Sequence, residues 1–178
     1  MKNVGIVLIA CVVIAVPVFA GQEPAADQPP AVDLNQLMLD FGRVGTTDEI
    51  HFVVVHLNDK TTDALFDAPQ KYALRAQARN RSMWFVRGVI LKDDVTLNLD
   101  FRVYDHRSTS AASISHRPEM VSMKNFKNGT ELAEGDEFVG ILALAQYIPP
   151  QTKTILQHGE LRFDFTFPRN VLNQLQDN

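Results

Sequence analysis

The sequence predicts a mainly β fold, an antiparallel β-sandwich of about seven strands with one appended helix; an open β-barrel is the alternative. Three observations lead there. From Val95 to Asp105, the residues Val95, Leu97, Leu99, Phe101 and Val103 alternate with Thr96, Asn98, Asp100, Arg102 and Tyr104, a period of two that marks a half-buried strand. Ser82 to Leu91 is apolar on both faces apart from Arg87, as in a strand packed on each side. Lys92-Asp93-Asp94 supplies turn-type residues between the two, so the pair reads as a long central hairpin.

The chain opens with a charged Met1-Lys2-Asn3, an uncharged run from Val4 and the small-residue ending Val18-Phe19-Ala20. Residues 1–20 therefore read as a secretory signal peptide, with an uncleaved N-terminal membrane anchor as the alternative. Too little apolar sequence precedes Cys11 for a lipoprotein site, and Cys11 reads as a small hydrophobe within the signal. It is the only cysteine, so cleavage leaves a thiol-free chain whose stability comes from burial. Residues 21–31, rich in proline and polar side chains, read as a flexible leader. Residues 32–178 have the size of a single β-rich domain.

Within that domain Asp33 to Phe41 suits a short helix or an opening strand equally, whereas Ile50 to Leu57 is a β-branched run that reads as a core strand ending at Asn58-Asp59-Lys60. Thr61 to Phe66 reads as a short further strand. Asp67 to Arg79 then carries a capping residue, a first-turn proline and good helix formers, and predicts the helix. His106 to Pro118 reads as a surface loop. Glu119 to Phe126 alternates weakly, and Asn128-Gly129 is the strongest hairpin signal in the chain. Phe138 to Tyr147 reads as a second central strand, with Gly140 marking a bulge or a close approach and Pro149-Pro150 ending it. Thr152 to Gln157 and Glu160 to Phe167 read as a pair across His158-Gly159, the second burying Leu161, Phe163, Phe165 and Phe167.

In Leu132 to Ala145 a leucine, a glycine turn and an aromatic residue lead into alternating apolar positions. This stretch resembles the late strands of fibronectin type III modules, a likeness that implies a sandwich and nothing about function. Phe138 stands where those modules carry a tyrosine, which removes their corner hydrogen bond.

For function, none of the motifs of the common hydrolase, nucleotide-binding or zinc-peptidase sites is present. No catalytic residue, metal site or cofactor follows from the sequence. His51 and His56 are five residues apart on one strand and so point to opposite faces. Tyr104, Asp105, His106, Arg107, His116 and Arg117 bracket a Ser/Ala-rich loop, and convergence of their side chains would create a binding end for an anionic group. Lys71, Arg75 and Arg79 recur every four residues and line one face of the expected helix. Such a stripe fits anionic lipid, an envelope glycan or an acidic patch on a protein partner. A net charge of −4 and export argue against nucleic acid.

The reading is a secreted or periplasmic domain of bacterial type with no transmembrane segment after signal cleavage, most economically a non-catalytic binding or interaction module of the cell envelope. The alternatives are a carbohydrate-binding module, which requires Trp84, Tyr104 or Tyr147 on an exposed face, and a hydrolase or metal-dependent site built on Asp105, His106 and His116.

Overall fold

The computed structural model describes residues 33–106 and 114–176. The stretches expected to be a signal peptide and a leader, and Arg107, lie outside the described residues. Along the chain, α1 (Leu34–Phe41) leads into β1 (Gly42–Thr46) and β2 (Ile50–His56), followed by α2 (Asp59–Leu65), α3 (Gln70–Ala78) and β3 (Met83–Ile90). Then come β4 (Val95–Thr96), β5 (Phe101–His106), β6 (Ile114–His116), β7 (Glu119–Lys124), β8 (Glu131–Leu132), β9 (Glu137–Ala143), β10 (Lys153–His158), β11 (Leu161–Phe165) and α4 (Arg169–Gln176).

One sheet is ordered β1-β2-β3-β9-β7, the other β11-β10-β5-β6, and β4 pairs with β8 as a short ribbon. All strand pairs are antiparallel and neither sheet closes on itself, so the fold is a β-sandwich and not a barrel. Phe52 of β2 shows how the layers join. Its ring meets Phe101 of β5 at 6.1 Å and Phe163 of β11 at 6.3 Å, both edge-on, and Phe138 of its own sheet at 5.8 Å. Edge-on contacts let the rings interlock without stacking their negative faces.

The runs that are apolar on both faces occupy the middle of the first sheet. β3 lies between β2 and β9, with Trp84, Val86 and Ile90 buried in the sandwich. The other face of β3 and β9 contributes Met83, Ile141 and Ala143 to a second cluster with Leu57 and Phe66, against which Leu74 and Ala78 of α3 pack. The helix thus covers one end of the outer face, which explains the second apolar face in sequence. The close approach expected at Gly140 is present, since a Cβ there would fall 2.1 Å from the Phe126 ring, while the bulge lies opposite, between Ser122 and Lys124 of β7. The pairing across His158-Gly159 is also present, with His158 opposite Leu161 and Gly159 at φ +55°.

The expected central hairpin does not form. β3 stays in the first sheet, whereas β5 pairs with β10 and β6 in the second, so residues 91–100, including the short β4, carry the chain from one sheet to the other. Turn residues specify a reversal, not the strand that will lie alongside. Val95, Leu97, Leu99, Phe101 and Val103 are all buried, so the alternation is real even where the chain at 97–100 leaves the ladder. There the Asn128-Gly129 turn replaces a strand neighbour. Leu97 N–H donates to Thr130 O, Gly129 N–H donates to Leu97 O, and Leu99 N–H donates to the Asn128 side chain. The turn is present, but it clips the crossing segment and does not join two neighbouring strands.

Thr61 to Phe66 is not a strand either. Asn58 caps α2 by accepting from the N–H groups of Lys60 and Thr61, while the Thr61 hydroxyl accepts from Asn58 N–H, a capping box that overrides the β preference of two threonines. The ambiguous opening segment is helical because Asp33 accepts from the N–H groups of Asn35 and Gln36. The appended helix falls where expected, although Pro69 and not Asp67 occupies its capping position.

Candidate functional site

Alternation along β5 decides the fate of the loop-end residues. Val103 and Asp105 face inward, and Tyr104 and His106 face the other way, Tyr104 half-buried and His106 exposed. His116 stands opposite Val103 in the register and reaches along the inner face to Asp105, with Nε2 3.0 Å from Oδ2. The Asp105 side chain is fully buried and that of His116 is 20% exposed. The Gln146 side-chain amide lies 3.2 Å from the same ring. Arg117 does not join them; it donates to Asp100 at 2.9 Å and this bond, before all other effects, holds the Asp100 carboxyl below its usual range. Of the six loop-end residues the structure brings together Asp105 and His116, separates Tyr104 and His106, and turns Arg117 toward another carboxylate.

The pair anchors β6, and β6 leads directly into β7, the edge of the first sheet. All six β7 residues are exposed. Met120, Val121 and Met123 are 37%, 43% and 42% exposed, and Ile114 of the neighbouring β6 is 52% exposed. On one side β7 pairs with β9; its other side has no strand partner among the described residues. Both ends are tied down, Glu119 by Arg81 at 2.7 Å and Lys124 by Glu137 at 3.9 Å. Sequence reading missed this surface because apolar residues on both sides of an edge strand blur the period. The legible signal was Met-Val-Ser-Met between two charges.

The basic stripe of α3 divides its work. Arg75 bridges back to Asp59 at 3.4 Å and Asp63 at 3.3 Å, clamping α3 to α2. Lys71 lies over the Tyr72 ring at 5.4 Å. Arg79 has no acidic partner among the described residues and lines a cleft of about 420 Å³.

His56 forms one wall of that cleft, packed against Trp84, Phe165 and Phe167. Burial, with Arg43 as a second cause, pushes its pKa down to about 4, so the ring is neutral at ordinary pH. His51 bonds Thr46 at 2.8 Å from the opposite face of β2, as the five-residue spacing requires. Trp84 is 1% exposed and offers no platform for a sugar, whereas Tyr147 is 45% exposed.

Among the described residues no three His, Cys, Asp or Glu side chains are placed to hold a metal ion, and no helix is long and apolar enough to cross a membrane. Compared with family models, curated proteins and solved structures, the chain has no match.

Proposed function

We propose that this chain is an exported, non-catalytic interaction module of the cell envelope that takes an extended segment of a protein partner along β7. The observation that carries the reading is the state of β7 itself. A strand with an unpaired outer side and apolar residues on both faces offers a partner main-chain hydrogen bonds and side-chain contacts together. Soluble domains ordinarily blunt such edges. Here the blunting is limited to a bulge at the Lys124 end and charged residues at the two termini of the strand.

The test compares complexes recovered from the envelope of the producing cell by the wild-type chain and by a Met120→Glu, Val121→Lys double variant. A partner retained by the wild type, lost by the variant, and slowing amide exchange across residues 119–124 supports the reading. A partner that binds both chains equally, or protects another strand, contradicts it.

A hydrolase remains the second reading because Asp105 and His116 are in contact, an arrangement in which a carboxylate orients an imidazole. Activity toward activated esters that disappears in His116→Gln would favour it over the interaction module.

A further inference from the structure

The cleft at the end of β2 is independent of β7, and its walls are chemically one-sided. We propose that it binds a small organic carboxylate, gripped by the Arg79 guanidinium and the Tyr147 hydroxyl, with the apolar body of the ligand against Leu57, Pro150 and Leu175.

The volume, about 420 Å³, falls within the range of sites for small organic ligands, roughly 300–1,000 Å³. Donors dominate its polar groups. Arg79 is without an acidic partner among the described residues, and the planar fork of a guanidinium matches the two oxygens of a carboxylate. Burial raises the Tyr147 phenol, which keeps its proton available for donation. Asn58 is fixed by its capping role, both backbone contacts falling on Oδ1, with Nδ2 buried behind the cleft wall without a partner. His56 is 8% exposed and has Nδ1 buried without a partner, so it offers the cleft mainly a neutral, packed wall.

One acid lines the cleft, Asp59, and Arg75 holds it at 3.4 Å. That residual negative charge selects against a dianion. A phosphate would bring two charges toward one free guanidinium and one half-neutralised carboxylate, whereas a monoanionic carboxylate is matched by Arg79 alone. The apolar walls then favour an organic acid over a bare ion.

The experiment titrates the full chain with 3-phenylpropionate, its neutral amide and inorganic phosphate, followed by calorimetry and by the amide resonances of residues 56–59, 79 and 147. The expected result is saturable binding of the carboxylate that moves those resonances. Arg79→Met weakens it at least about tenfold, as loss of a charged hydrogen bond implies. Lys71→Met, on the same helix outside the cleft, leaves it unchanged. The amide binds no better than the carboxylate binds to Arg79→Met. Absence of saturable binding, equal affinity for the amide or for phosphate, or an equal loss in Lys71→Met overturns the proposal.

Discussion

His116 Nε2 lies 3.0 Å from the carboxylate of Asp105, an acid fully buried at the margin of the sandwich. The contact joins the inner faces of β5 and β6, and β6 continues within two residues into β7. It therefore fixes where the exposed edge begins. His116→Ala is expected to lower stability by about 1–3 kcal/mol, the range for removing a hydrogen-bond partner from a buried group. Urea unfolding measures it directly; a change within error would show that β6 is held by its backbone ladder alone.

Gly88 and Gly140 make room for aromatic rings on neighbouring segments. A Cβ at Gly88 would fall 2.0 Å from the Phe138 ring, and one at Gly140 would fall 2.1 Å from Phe126. Both rings are fully packed and cannot retreat. Gly140→Val is expected to cost at least about 1–3 kcal/mol through overpacking, read from the shift in melting temperature. The same substitution at Gly129, where nothing lies within 4 Å, acts through its φ of +79° and not through crowding.

Acid sensitivity follows from His56. Its folded pKa of about 4 is below the usual 6.5, so the unfolded chain binds the proton more readily. The ring's contribution is intact above pH 6.5 and is lost as pH falls from there through about 4. The full loss is about 3 kcal/mol. Unfolding free energies at intervals across that window should decline in the wild type and decline less in His56→Leu. Parallel curves for the two chains would remove His56 from the account.

Much of the fold was legible because burial leaves a periodic trace. Val95 to Val103 alternates in sequence and is buried at every second position, and β3 and β9 are apolar on both faces because α3 covers their outer side at one end. The partner of β3 was not legible. Lys92-Asp93-Asp94 states that the chain turns, whereas the partners that β5 takes, β10 and β6, lie farther along the chain and leave no local trace. α2 was missed because its stability comes from Asn58 and Thr61 acting across three residues, a cap that composition disguises as strand. At the candidate sites, Asp105 and His116 were named from sequence and do meet; His56 and Tyr147 were named for other roles, and Arg79's cleft and the β7 methionines become notable only through burial and exposure.

The central claim is that β7 is a docking edge, and a photo-crosslinking side chain tests it most directly. Placed at Ser122 in the middle of β7, it should yield a covalent adduct in the producing cell's envelope, mapped to an extended segment of the adduct partner. Placed at Glu160, in the turn between β10 and β11, it should not. Adding Val121→Lys to the Ser122 probe should abolish the adduct while leaving the melting temperature within a few degrees. Equal adducts at Ser122 and Glu160, or none at Ser122, would contradict the account.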